Sequence, residues 1–146
     1  MLFSKPELCL VAERAALTAG IDPPICLSII DVLSSWNPAL IEQSPDPMQY
    51  NPALASQRGP EGRLGLMQIT LAQSLELGLK HTQEELLEPT LNVSVGCQIL
   101  KKALAQTGGE IGRAILLCHG YSVQAMIPRI RSKVEKYREF LAAKPV

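Results

Sequence analysis

The sequence predicts an all-α domain. Apolar residues recur at spacings of three and four, the segments that hold them open on helix-capping residues and close on glycines, and no stretch shows convincing strand alternation. The 146 residues suit one domain with one core, taken as 1–146. Hydrophobic residues make up 47% and charged residues 19%, a globular balance.

The first helix is placed within residues 1–20. Ser4 caps it, Pro6 suits the first turn, Glu7 completes a capping box and Gly20 stops it. Its apolar stripe is read as Leu10, Val11, Leu17 and the alanines. A second helix begins at Pro23-Pro24 and runs through Cys26, Leu27, Ile30 and Leu33. It ends near Ser35, because Pro38 disfavours a helical Asn37. Residues 37–64 hold five prolines together with Gly59 and Gly62, and read as a long irregular loop with room for a short hairpin. Asn-Pro-Ala-Leu occurs there twice, at 37–40 and 51–54, too few copies for a repeat architecture.

Helical signals return at Thr70, which forms a capping box with Gln73, and Gly78 closes that short helix. Thr82 and Glu85 open another. Pro89 begins a longer helix with Leu91, Val95, Ile99, Leu100, Ala103 and Leu104 on its apolar positions, ended by Gly108-Gly109. A short apolar helix over Ile111 to Cys118 stops near Gly120. The last helix carries Val123, Met126, Ile127, Ile130, Val134, Tyr137 and Leu141, with Pro128 starting or kinking it.

Fourteen basic residues balance fourteen acidic ones. That balance argues against an electrostatic nucleic-acid or anionic-membrane binder. No apolar run approaches the roughly 18 residues of a membrane span. Lys5, Glu7, Glu13 and Arg14 interrupt any secretory h-region, so the sequence predicts synthesis in the cytoplasm without an export signal of its own. Cys9, Cys26, Cys97 and Cys118 match no metal motif; they read as buried free thiols in a reducing compartment. No metal and no cofactor are expected. Asn92-Val93-Ser94 matches a glycosylation sequon, but its helical setting makes the match a chance one.

Three stretches carry a family likeness. The first is Ser28 to Pro38, an apolar helix ending in Leu33-Ser34-Ser35-Trp36-Asn37-Pro38. The second is Gly65-Leu66-Met67-Gln68-Ile69, followed by Ala72 and Leu77-Gly78. The third is Leu87-Glu88-Pro89 with Asn92-Val93 and Val95-Gly96 at the start of the long helix. In this order and spacing they resemble the lytic transglycosylase (SLT) family of the lysozyme-like superfamily, over roughly residues 22–141. The resemblance implies a lysozyme-like helical domain. It also implies cleavage of the β-1,4 bond between N-acetylmuramic acid and N-acetylglucosamine in peptidoglycan. One glutamate in the family serves as acid and then as base, while the muramic 6-hydroxyl closes an anhydro ring.

In register with Ser34, Trp36, Asn37 and Pro38, that glutamate falls on Leu33, which cannot move a proton. General acid–base catalysis is typically worth about 10²–10⁴-fold, so catalysis is expected to be impaired. The family's Ala-Tyr-Asn-Ala-Gly run is altered as well. Here it reads Cys118-His119-Gly120-Tyr121-Ser122, with His119 at the tyrosine and Gly120 at the asparagine. Substrate-contacting positions implied by the resemblance are Ser34, Met67, Gln68, His119 and Tyr121. Gln68 either hydrogen-bonds a sugar acetamido or hydroxyl group or only builds the turn. Trp36 and Tyr50 either stack on sugar rings or, for Trp36, anchor the core. Asp31 lies about 200° around the helix from Leu33 and reads as a solvated or capping-type residue rather than a replacement acid. Glu42, Asp46 and Glu61 lie in the long loop as alternative acids, each otherwise a surface charge. His119 reads as a group that can titrate near neutrality.

Three functions follow: a degenerate peptidoglycan-contacting pseudoenzyme, an active muralytic enzyme using another carboxylate, and a purely structural helical interaction module. Expected partners are the glycan strand and other proteins of a phage virion (tail or ejection apparatus) or of a secretion machine, the two delivery routes open to a chain without a signal.

Overall fold

The computed structural model describes residues 4–43 and 62–143, except for the side chains of Gln43, Tyr121 and Ser122. Its elements are α1 (Lys5–Ala19), α2 (Pro23–Ser34), β1 (Ile41–Gln43), β2 (Gly62–Leu64), α3 (Leu71–Glu76), α4 (Gln83–Leu87), α5 (Pro89–Gln106), α6 (Ile111–His119), a 3₁₀ helix (Tyr121–Met126) and α7 (Ile127–Ala142). The fold is therefore mainly α, as the capping signals imply. β1 and β2 pair antiparallel, Ile41 opposite Leu64 and Gln43 opposite Gly62, which makes the short hairpin of the long connection.

Local chemistry accounts for the boundaries. Ser4 with Glu7, Thr70 with Gln73 and Thr82 with Glu85 each form a reciprocal capping box at a helix start. Gly20 closes α1 at φ +79°, the left-handed conformation that glycine adopts without penalty. Glu88 caps α5 through the Leu91 amide at 2.8 Å, and Glu110 caps α6 through the amides of Gly112 and Arg113.

Two expectations need correction. The buried face of α1 is Leu8, Ala12 and Ala16, whereas Leu10 is 43% and Leu17 62% exposed. Residues 8, 12 and 16 share one face at i, i+4, i+8, and the small side chains of Ala12 and Ala16 let α1 lie close against α5 and α2. The last α-helix starts at Ile127 rather than at Val123. A 3₁₀ helix over 121–126 still delivers Val123 to the core, leaves Met126 outside, and puts Pro128 in the first turn of α7, where its missing N–H costs nothing.

The core is centred on α2. Cys26, Leu27, Ile29 and Ile30 are wholly buried between α1 and α7, together with Leu66, Val93, Cys97 and Ile115. At Gly96, on α5, a Cβ would meet the Met67 Sδ at 2.5 Å, so the absence of a side chain there lets the turn after β2 sit directly on α5.

Candidate functional site

Two local structures position the residues of interest: the end of α2 and the turn after β2. Leu33 is half-buried and packs on the core. The Ser34 hydroxyl is buried and donates to the Ile30 carbonyl at 2.9 Å. Ser35 and Trp36 then take left-handed φ values of 51° and 62°. Such values cost a non-glycine residue roughly 1–2 kcal/mol each; here they end α2 abruptly and turn Trp36 back onto α7. Trp36 is 8% exposed. Its Nε1 donates to the Tyr137 hydroxyl at 3.1 Å, and its ring meets Tyr137 edge-on with centroids 6.3 Å apart. Trp36 is thus an anchor between α2 and α7.

The Tyr137 hydroxyl donates in turn to Asp31 Oδ2 at 2.6 Å, and Lys133 Nζ lies 3.6 Å from the same oxygen. Burial, with the carboxylate of Asp31, pushes the Tyr137 phenol well above its ordinary range. The solvated reading of Asp31 is therefore corrected: the side chain is 19% exposed and committed to α7.

The turn over 65–68 is held from three sides. Leu64 and Ile69 exchange backbone hydrogen bonds of 2.7 and 3.2 Å across its base. The Gly65 amide donates to the Leu40 carbonyl at 2.8 Å, which docks the segment after Asn37-Pro38 on the turn. From α5, the fully buried Asn92 accepts from the Met67 amide at 2.9 Å and donates to the carbonyls of Leu64 (2.8 Å) and Leu86 (2.7 Å). Both N–H donors and the oxygen of that buried amide are engaged, so it is no glycosylation acceptor. Gly65, at φ +71°, is required on two counts, since a Cβ would also stand 2.5 Å from Asn92 Nδ2.

Met67 is buried and directed at Gly96 and Cys26. Gln68 has φ 53° and is buried; its Nε2 donates to the carbonyls of Gly65 (2.8 Å) and Leu40 (3.3 Å), which fixes which end of the amide is nitrogen. Its Oε1 has no hydrogen-bond partner among the described residues and remains an unused acceptor.

His119, at the end of α6, is buried against the same turn. Its Nε2 lies 2.9 Å from the Met67 carbonyl, and its own carbonyl accepts from Arg63 on β2 at 2.7 Å. Burial, reinforced by the Arg63 charge and opposed by the Met67 carbonyl, pulls the imidazole down to about 4. The expectation that His119 titrates near neutrality is corrected: at pH 7 it is neutral. Gln73 ties α3 to α6 through the Cys118 carbonyl at 2.6 Å.

The structure thus brings Met67, Gln68 and His119 together, and separately Leu33, Ser34 and Trp36 with Asp31 and Tyr137. Glu42 is exposed on β1, paired in register with Arg63. Tyr50, Asp46, Glu61 and the Tyr121 side chain lie outside the described residues. Among the described residues no group of three or more His, Cys, Asp or Glu is placed to hold a metal ion, and no helix is long and apolar enough to cross a membrane. A groove of 190 Å³ between α3, α5 and α6, lined by Gln73, Leu77, Ile99, Lys102 and Leu117, is smaller than the roughly 300–1,000 Å³ of ligand pockets.

Sequence reasoning quoted Asn92 as part of a motif without giving it a task. A polar residue among Leu91, Val93 and Val95 on an otherwise apolar helical stretch is the signal that marks it. Tyr137, read as core, is the other residue whose polar role was missed.

The family model described as the transglycosylase SLT domain matches residues 11–123. The match spans Leu33, the turn over 65–68, Asn92 and His119, and begins within α1, earlier than the motifs alone indicated. No characterised protein matches the chain at a significant level. With more than half of its length matched, and with the helical fold and the turn after β2 in place, the chain belongs to the transglycosylase SLT domain family.

Proposed function

We propose that this chain is a peptidoglycan-directed member of the family in which transglycosylase chemistry is impaired, and that it reaches the wall as part of a phage virion (tail or ejection apparatus) or through a secretion machine. Family membership supports the peptidoglycan part. The observation that carries the impairment is Leu33: it occupies the position expected of the acid, at the end of α2 and directly before Ser34, and it packs on the core. Lytic transglycosylation requires one group to protonate the glycosidic oxygen and then accept a proton from the 6-hydroxyl. Asp31, the nearest acid in sequence, is held by Tyr137 and Lys133.

The test is digestion of purified sacculi with the purified chain, reading released anhydro-muropeptides. The expected result is release below one-hundredth of that from an active family member; comparable release overturns the proposal. Leu33→Glu is expected to raise release above the wild-type chain. Binding of N-acetylglucosamine oligomers without turnover separates the proposal from the structural-module reading. That second reading is favoured by one observation: the polar atoms of Ser34 and the Nε2 of His119 are satisfied inside the protein. An absence of binding together with an absence of release would establish it.

A further inference from the structure

We infer that Cys26 and Cys97 close into a disulfide while the chain folds in an oxidising compartment, stapling α2 to α5. The inference goes beyond the functional reading above and does not rest on it.

The two residues are 71 positions apart in sequence, yet their sulfurs lie 3.5 Å from one another, in van der Waals contact. Both side chains are wholly buried. Reaching the roughly 2.05 Å of an S–S bond needs the two sulfurs to close by about 1.5 Å, through rotation of the two side chains about χ1. The third sulfur present, Met67 Sδ, is 3.8 Å from Cys26 Sγ. Its unbranched thioether can give way as the bond forms. The other two cysteines are placed differently. Cys118 directs its thiol at the Ile99 carbonyl 4.0 Å away, and Cys9 lies on α1.

In the folded, reduced protein Cys26 is a poor nucleophile. The hydrogen bond with Cys97, followed by burial, holds the Cys26 thiol well up and disfavours the thiolate. The exchange therefore belongs to the folding chain, before the core closes. One thiolate attacks a disulfide-bearing oxidant, giving a mixed disulfide and releasing one reduced thiol. The second cysteine, as thiolate, attacks the protein sulfur of that mixed disulfide and expels the other. Two protein thiols are oxidised, one oxidant disulfide is reduced to two thiols, and two protons pass to the leaving sulfurs through solvent. Compartments outside the cytoplasm supply such oxidants. All four thiols are free in the structure, Cys26, Cys97 and Cys118 buried and Cys9 half-buried; the expectation of free thiols in a reducing compartment would then describe the chain before delivery.

The experiment refolds the full chain from denaturant in a mixture of oxidised and reduced glutathione, alkylates free thiols and maps peptides without reduction. The expected result is a single Cys26–Cys97 linkage, with Cys9 and Cys118 alkylated. The Tm should stand roughly 10 °C above that of the reduced protein, from closure of so long a loop. Cys97→Ala should abolish the linkage and the redox dependence of Tm, while Cys118→Ala should keep both. Four alkylated cysteines, or Cys26 joined to Cys9 or Cys118, would overturn the inference. So would the expected linkage with no rise in Tm, because the helices would then be strained rather than set for the bond.

Discussion

Replacing Asn92 with alanine removes three hydrogen bonds at once from the turn that carries Met67 and Gln68. The Met67 amide and the Leu86 carbonyl lose their partner, while the Leu64 carbonyl keeps the Ile69 amide at 3.2 Å. A buried backbone group left unsatisfied costs about 1–3 kcal/mol. Water entering the vacated amide volume recovers part of this, so the lower half of the range applies to each group. For the two orphaned groups the sum is about 2–4 kcal/mol. A domain of this size has a total stability of about 5–15 kcal/mol, and its unfolding entropy near Tm is about 0.3 kcal/mol per degree. The expected drop in Tm is therefore roughly 7–13 °C. Urea unfolding followed by circular dichroism measures the free energy, and amide hydrogen exchange locates it: Met67 should lose protection first, with Leu64 and Ile69 after it. A loss below 1 kcal/mol with Met67 still protected would refute the claim that Asn92 holds the turn. Asn92→Asp sharpens the test. It keeps an acceptor for Met67 but sets a carboxylate against two carbonyls, which raises the pKa of the new acid above its unfolded value. Stability of that variant should fall as pH rises above about 4, the opposite of the wild-type trend.

The wild-type trend follows from His119. The buried imidazole binds its proton only near pH 4, whereas the unfolded chain binds it near 6.5. Stability is therefore complete above pH 6.5 and declines as pH falls toward 4, by about 3 kcal/mol in all; His119→Gln should flatten this part of the urea-midpoint profile, and an unchanged slope would refute the assignment. Ser35→Gly relieves a left-handed φ of 51° and should stabilise the domain by about 0.5–1 kcal/mol in urea unfolding. Tyr137→Phe removes the hydrogen bonds to Asp31 and from Trp36; at a half-buried site the expected loss is about 2 kcal/mol, and a loss under 0.5 kcal/mol would show that α2 and α7 are joined by apolar packing alone.

What was legible in the sequence was local. Ser4, Thr70 and Thr82 each sit three residues before a glutamate or glutamine, and that spacing is the whole geometry of a capping box. The end of α2 before Asn37-Pro38 is read the same way, from the backbone clash of one proline. What was not legible depends on partners distant in sequence. Leu10 and Leu17 look as apolar as Leu8, and only the approach of α5 and α2 decides which face is covered. Asp31 faces away from Leu33 by helical geometry, but its partner Tyr137 is 106 residues on. His119 has an ordinary imidazole in sequence, and its low pKa appears only when Arg63 and the turn close around it.

Trp36 is the chain's single tryptophan. Because its indole is packed edge-on against Tyr137 at the junction of α2 and α7, its fluorescence reports that junction and nothing else. A blue-shifted emission marks the docked junction, and a red shift on solvent entry marks its opening. The protein therefore carries its own optical gauge at the end of α2. Any glycan, redox change or substitution that loosens the end of α2 can be followed in real time without a label.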